Sequence, residues 1–159
     1  MLENLSGRAS RDANAQREIS LVIGPTEVAD VMTGKVVTLS PHHTFDNAAN
    51  LMTDRHFRHC VVVDSQRRAV GVISDRDIFR ALARNPNSRS KSLDQIMTRN
   101  PITVRRDTPI IDAVSKLISK RINCLPVVEE DGTVCGIVTS TDLLKSYQQL
   151  LELVRKQAG

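Results

Sequence analysis

The chain has no tryptophan, and aromatic residues make up only 3 % of its 159 residues. Its core must therefore be aliphatic, built from Val, Ile, Leu and Met. Without aromatic faces for bases to stack on, single-stranded nucleic-acid recognition is disfavoured. No apolar run approaches the ~20 residues needed to span a bilayer, so no membrane association is expected. The opening stretch "MLENLSGRASRDANAQREIS" contains no apolar core of the kind a secretory signal carries, and a cytoplasmic location is the expectation. The three cysteines, Cys60, Cys124 and Cys135, cannot all pair with one another. They read as small buried hydrophobes in a reducing compartment. Motifs of the forms G-x-G-x-x-G, Walker loop, H-E-x-x-H and G-x-S-x-G are missing, and no Ser-His-Asp set can be argued. The chain is not expected to be an enzyme.

Apolar residues make up 40 % of the chain, which excludes a disordered polymer. A chain of this length can bury roughly 70 % of its unfolded surface, enough for a core without disulfides or metals. The net charge is +4 and the isoelectric point near 9.3. That balance suits phosphate-bearing partners, although a solvated surface accounts for it equally well.

The dominant feature is an internal repeat. "GVISDRDIF" at 71–79 returns as "GIVTSTDLL" at 136–144, a shift of 65 residues from Gly71 to Gly136. The register extends without a gap over 28–82 and 93–147, aligning Met32-Thr33 with Met97-Thr98, Ala48 with Ala113, and Val62-Val63 with Val127-Val128. Two copies of one supersecondary unit follow. In the first copy a brief strand is expected at Val36 to Leu39. A helix over "TFDNAANLMTDRHF" places Phe45, Ala48, Ala49 and Met52 on one face, with Thr44 or Asp46 as cap. "CVVVD" and "VGVIS" read as a hairpin around "SQRRA". "DRDIFRALAR" reads as a helix with Ile78, Phe79 and Leu82 inward, and "NPNSRSK" as a breaker-rich linker. The second copy repeats the order, with Asp131-Gly132 as its hairpin turn.

The expected fold class is α+β: two β-α-β-β-α units with pseudo-twofold symmetry, because one unit alone cannot cover both faces of a short sheet. The expected divisions are a polar segment 1–26 whose first 20 or so residues are mobile, repeat one at 27–84, a linker at 85–92, repeat two at 93–147, and a helical extension at 148–159. In the tail, Leu143, Leu144, Tyr147, Leu150, Leu151 and Val154 form an apolar stripe. Packing on the core is its first reading, and a dimer contact its second.

The twin G-h-h-[ST]-x-x-D motif, with h apolar, ends a strand and opens a helix. Its hydroxyl sits at the N-cap, where first-turn N–H groups and the helix dipole favour an anion. An aspartate three residues on can accept hydrogen bonds from a vicinal diol, as acidic residues do for ribose. The competing reading is a capping box, in which that carboxylate only bonds back to the cap.

"DVMT" and "QIMT" opening the copies, "LPVV" at 125–128, and "GVISDRD" and "GIVTSTD" together resemble a tandem pair of cystathionine β-synthase (CBS) domains, a Bateman module. The resemblance implies a regulatory, non-catalytic fold that binds adenosine nucleotides between its repeats and signals to a separate effector protein. The implied ligands are AMP, ADP or ATP, with S-adenosylmethionine as an alternative. Carried over by position, Asp77 and Asp142 hold ribose. Ser74 and Thr139 touch phosphate, and Arg58, His59, Arg76 and Thr141 are counted with them. Lys35, Val36, Val37 and Thr38 surround the base in copy one, and Asn100, Pro101, Ile102 and Thr103 in copy two. Arg58 and His59 are matched in copy two by the neutral Asn123 and Cys124, so unequal sites are expected. "CVVV" replaces the "LPVV" pattern in copy one. The family also implies a homodimer.

Two alternatives remain open at this level. His56, His59 and Cys60, with His42 and His43, raise an accessory metal site, disfavoured because no complete ligand set is apparent. Arg76, Arg80, Arg84, Arg89 and Lys91, with Arg67-Arg68 and Arg105-Arg106, raise a nucleic-acid surface, against which stands the ordinary solvated helix face.

Overall fold

The computed structural model describes residues 24–157. The expectation of a mobile head falls on residues outside this range. Repeat one contains β1 (Thr38–Leu39), α1 (Phe45–Arg55), β2 (His59–Val63), β3 (Ala69–Ser74) and α2 (Asp75–Arg84). A short strand β4 (Thr98–Arg99) precedes β5 (Val104–Arg105), α3 (Ile110–Lys120), β6 (Cys124–Val128), β7 (Val134–Thr139) and α4 (Ser140–Gln157). The α+β repeat is thus realised. The first strand is shorter than the expected Val36–Leu39.

Local chemistry sets these boundaries. Thr44 caps α1: its Oγ1 accepts from the Asn47 N–H at 3.3 Å, and Asn47 Oδ1 accepts from the Thr44 N–H at 2.8 Å. This reciprocal pair satisfies donors that the first turn leaves free. Phe45, Ala48 and Met52 face inward from α1. Helices α1 and α3 both end in a left-handed residue, His56 at φ 56° and Arg121 at φ 54°, one repeat apart.

Two sheets result, ordered β1-β2-β3-β4 and β5-β6-β7. β1 runs parallel to β2, and β5 to β6, while the two hairpins β2-β3 and β6-β7 are antiparallel. The leading segments of the repeats are exchanged. Strand β4, which opens repeat two, pairs with β3 of repeat one through Val72 and Thr98. Its counterpart Thr33, which lies in the opening segment of repeat one, bridges to Ile137 on β7 of repeat two. The same reciprocity continues upstream. The Val28 N–H donates to Thr108 O at 2.9 Å, and the Leu93 N–H donates to His43 O at 2.8 Å.

The exchange explains the repeated glycine. A Cβ on Gly71 would lie 2.3 Å from Met97 Sδ, and one on Gly136 would lie 3.0 Å from both Met32 Sδ and Thr33 O. Each glycine admits the methionine of the other repeat's leading segment.

Burial follows the same pattern. Leu93 completes the core of repeat one with Leu39, Ala48, Cys60, Val62 and Ile73, and Val28 completes that of repeat two with Val104, Leu117, Leu125 and Val138. A third cluster, including Val61, Val63, Cys124, Val134 and Ile137, joins the halves. Burying such side chains fully stabilises by about 1.5–3 kcal/mol each.

Three expectations are corrected. Phe79, expected inward, is 71 % exposed, because Ile78 and Leu82 set the inner face of α2 and the next residue lies about 100° around the helix. The tail stripe does not pack on the core as a whole. Leu143 does, but Leu144, Tyr147, Leu151 and Val154 are exposed. The breaker-rich connection after α2 is packed structure. Asn85 caps a 3-10 turn at Pro86–Ser90, and Ser88 is buried with its hydroxyl donating to Ala81 O at 3.3 Å.

Candidate functional site

The sheet order brings most of the sequence-predicted residues of each repeat to one end of its sheet. His59 pairs directly with Ser74 across β2-β3, and Cys124 with Thr139 across β6-β7. The parallel pairs Thr38–Val61 and Val104–Val127 share an offset of 23 residues. Continued two and three residues upstream, that offset sets Val36 level with His59 and Pro101 level with Cys124. The segments 35–38 and 100–103 therefore flank the start of the middle strand, and the serine or threonine motif flanks its other side. Val36 packs into the cluster that joins the halves. Val37 and its counterpart Ile102 leave their side chains 42 % and 36 % exposed. An exposed apolar side chain is thus present at the equivalent place in both copies.

Both motifs form capping boxes. The Ser74 N–H donates to Asp77 Oδ2 at 2.9 Å, the Ser74 hydroxyl donates to the same oxygen at 2.7 Å, and the Asp77 N–H donates to Ser74 Oγ at 3.3 Å. In repeat two the Thr139–Asp142 distances are 2.8, 2.7 and 3.3 Å. The helix-capping role is therefore realised in each copy. It engages one carboxylate oxygen. Among the described residues, Oδ1 of Asp77 and of Asp142 accepts no hydrogen bond, so capping leaves one carboxylate oxygen of each free to accept.

Charge separates the two motifs. Arg58 Nε lies 2.7 Å from Asp75 Oδ2, and the Asp75 N–H donates to Arg58 O. Partial burial opposes ionisation of Asp75, but the Arg58 guanidinium outweighs it and holds the carboxyl below its usual range. At the equivalent place in repeat two, the Ser140 hydroxyl lies 3.4 Å from Asn123 O and 3.3 Å from Asn123 Oδ1, a neutral contact. Burial pushes the His59 imidazole below its ordinary value. Asp75 and Asp77 pull it back up, and Arg58 and Arg76 oppose them. At neutral pH His59 therefore offers a hydrogen bond rather than a charge. Burial pushes the Cys124 thiol up to about 12, with the Asp77 and Cys60 charges adding to it. This strand-start residue of repeat two thus lies within the field of repeat one's motif.

A groove runs along each motif helix. The groove beside Asp77, of about 360 Å³, lies between α2 and the packed connection, and Arg80, Arg84 and Lys91 line it. The groove beside Asp142, of about 500 Å³, lies between α4 and the segment that leads into and opens repeat one, and Asp30, Lys145 and Gln149 line it. Residues 35–38 and 100–103 line neither groove. Arg76 and Thr141 are exposed at the first helical turns. In the sequence, Arg80, Arg84 and Lys91 read only as a basic surface. The signal was present, since positions 77, 80 and 84 share one face of a helix. Among the described residues, no group of three or more His, Cys, Asp or Glu side chains could hold a metal ion.

The profile of the CBS domain family matches residues 28–84 and 93–149. Among solved structures, the CBS domain pair of protein MJ0100, in complex with 5′-methylthioadenosine and S-adenosyl-L-methionine, is 32 % identical with a TM-score of 0.72, covering 78 % of this chain and 98 % of that one. CBSX2 in complex with AMP is 27 % identical with a TM-score of 0.71, covering 79 % and 98 %. Homoserine O-acetyltransferase of Methanohalobium evestigatum is 35 % identical over 124 residues, 78 % of this chain but 24 % of the enzyme. The chain thus spans about a quarter of the length of the first such relatives. An uncharacterized 17.7 kDa protein of Acidianus ambivalens matches along most of both chains, 84 % and 79 %, at 34 % identity. With two family matches, a sheet-and-helix arrangement shared with solved CBS domain pairs, and paired capped aspartates at equivalent places, the chain belongs to the CBS domain family and carries that domain twice.

Proposed function

We propose that this chain is a non-catalytic, cytoplasmic regulatory module that binds adenosine nucleotides of the AMP, ADP or ATP type, with S-adenosylmethionine as an alternative. The observation that carries this reading is the pair of capped aspartates. Each keeps Oδ1 free for a ribose diol at a sheet end where Val37 or Ile102 exposes an apolar side chain. The ligands of the similar CBS pairs, AMP in one and methylthioadenosine with S-adenosylmethionine in another, support the same class. Ser74, Thr139, Arg58, His59, Arg76 and Thr141 would lie toward phosphate, and segments 35–38 and 100–103 toward the base.

Ligand binding would select one relative arrangement of the two halves, which a separate effector protein reads. The module works as a homodimer. The exposed Leu144, Tyr147, Leu151 and Val154 on α4, with Phe79 at the place equivalent to Leu144, supply an apolar contact surface.

The binding test is a thermal-shift panel of adenosine, AMP, ADP, ATP and S-adenosylmethionine on the native chain and on Asp77→Ala/Asp142→Ala. A ligand at a hundred times its dissociation constant stabilises by about 2.7 kcal/mol, a shift of roughly 5–10 °C for a chain of this size. The double variant should lose most of that shift. A full shift surviving in it removes these residues from the site. The dimer is tested by light scattering, which should give twice 17.6 kDa for the native chain and the monomer mass for Leu144→Glu/Leu151→Glu. A native monomer with and without nucleotide refutes it.

A further inference from the structure

The two grooves are equivalent in position but opposed in charge. Along repeat one, positions 58, 76, 80, 84 and 91 are Arg, Arg, Arg, Arg and Lys. One repeat apart, the corresponding residues are Asn123, Thr141, Lys145, Gln149 and Thr26. Five cations thus stand against one. The acidic side chains do not follow. Asp75 and Asp77 lie in repeat one, and Asp142 and Asp30 beside repeat two, where Asp30 replaces the neutral Gln95. Arg58 is neutralised by Asp75 at 2.7 Å. Arg76, Arg80, Arg84 and Lys91 have no carboxylate within ion-pair distance among the described residues. Three of these four line the groove that contains Asp77, whose carboxylate is the only negative charge among the described residues lining it. The groove that contains Asp142 holds two carboxylates and one lysine. Both volumes, about 360 and 500 Å³, fall in the range of small-molecule sites.

We infer that the two sites are specialised by ligand charge: the Asp77 site takes a polyphosphate-bearing adenosine ligand, and the Asp142 site takes an adenosine ligand of zero or positive net charge. This rests on the adenosine-binding reading above and deepens it. A phosphate chain leaving a ribose held at Asp77 passes along α2, where Arg80 and Arg84 stand one and two turns on, with Lys91 on the facing wall. Guanidinium groups suit this task because their planar fork matches phosphate oxygens. The same chain leaving Asp142 meets Lys145 and then the neutral Gln149, with Asp30 opposite. That wall repels phosphate and favours a sulfonium or ammonium group, or an uncharged nucleoside.

The test uses isothermal titration calorimetry of the full chain at fixed ionic strength, with adenosine, AMP, ADP, ATP and S-adenosylmethionine as probes. Asp142→Asn isolates the first site, and Asp77→Asn the second. In Asp142→Asn, affinity should rise by about tenfold per added phosphate, the scale of a charge-assisted hydrogen bond. That gradient should flatten in Asp142→Asn/Arg80→Gln/Arg84→Gln, whose exposed arginines are not needed for folding. In Asp77→Asn, adenosine and S-adenosylmethionine should bind at least tenfold more tightly than ATP. The same phosphate gradient in both single variants, or a gradient that survives loss of the two arginines, overturns the charge assignment while leaving adenosine binding intact. Undiminished binding of every probe in Asp77→Asn/Asp142→Asn removes both aspartates from the site and overturns this inference alone, whereas no binding of any probe to the native chain overturns the adenosine reading and this inference with it.

Discussion

Substituting Gly71 by alanine should destabilise the protein through the other repeat. The added Cβ would lie 2.3 Å from Met97 Sδ, 2.9 Å from its Cγ and 3.2 Å from its Cε. Ordinary contact is about 3.5–4.0 Å, so the thioether must withdraw by more than 1 Å, and its Cγ with it. Met97 packs half-buried on the core of repeat one. Overpacking of this kind costs about 1–3 kcal/mol. Removing the side chain with Met97→Ala alone should cost about 1–2 kcal/mol, below the usual range for a fully buried methionine. In Gly71→Ala/Met97→Ala the new methyl occupies vacated space, so the double variant should be no less stable than Met97→Ala. The two changes should therefore be non-additive by about 1–3 kcal/mol. Urea denaturation of the four proteins, read at the midpoint with the slope unchanged, measures the cycle. Gly136→Ala is the built-in control. Its Cβ meets the Thr33 carbonyl oxygen at 3.0 Å as well as Met32 Sδ, and trimming Met32 leaves that backbone atom in place. Rescue there should be clearly weaker. Additivity within about 0.5 kcal/mol at Gly71 and Met97 would refute the close approach between the halves.

Two further outcomes follow from the geometry. Arg67 holds φ 60° in its hairpin turn at the place where Gly132 holds φ 84° in the other. Arg67→Gly should raise stability by about 0.5–1 kcal/mol, since a side chain in this region is strained, and an unchanged or lower melting temperature would count against that strain. His59 has its folded pKa lowered below 6.5 by burial. The unfolded chain therefore binds the proton more readily, and stability should fall as pH drops from about 6.5 through the folded value, by at most ~1.4 kcal/mol per pH unit. His59→Gln should remove that component of a melting-temperature profile. A profile identical to the native one would refute the assignment.

The repeat, its element order and the capping chemistry were legible in the sequence because each rests on local spacing. Of the two cap candidates Thr44 and Asp46, Thr44 caps α1, and Ser74 and Thr139 cap the helices they were expected to open. The exchange of leading segments was not legible. Thr33 to Ile137 and Thr98 to Val72 are pairings between repeats, and a two-residue strand leaves no periodicity to read. Gly71 and Gly136 carry a trace of it, but in the sequence they read as part of a strand motif. Phe79 misled because apolar residues at 78, 79 and 82 in a ten-residue helix fit two different faces. The basic groove was missed because the linker composition of 85–92 hid a packed wall that sets Lys91 opposite Arg80 and Arg84. The asymmetry of charge between the copies, in contrast, could be read directly by aligning Arg58 with Asn123 and Arg76 with Thr141.

The exchanged segments also bear on how such a chain arises. A polypeptide with one copy of this unit would fold with the outer edge of its second hairpin strand open. Its own leading segment would point away, toward an acceptor it does not possess. Two such polypeptides would satisfy each other, each lending the short strand that closes its neighbour's sheet. Joining the pair end to end through a connection as short as the eight residues 85–92 turns this association between molecules into one within a molecule, independent of concentration. Once fused, the copies no longer need to be identical. The arginines of one groove and the carboxylates of the other are a divergence that a symmetric assembly of identical chains could not accumulate.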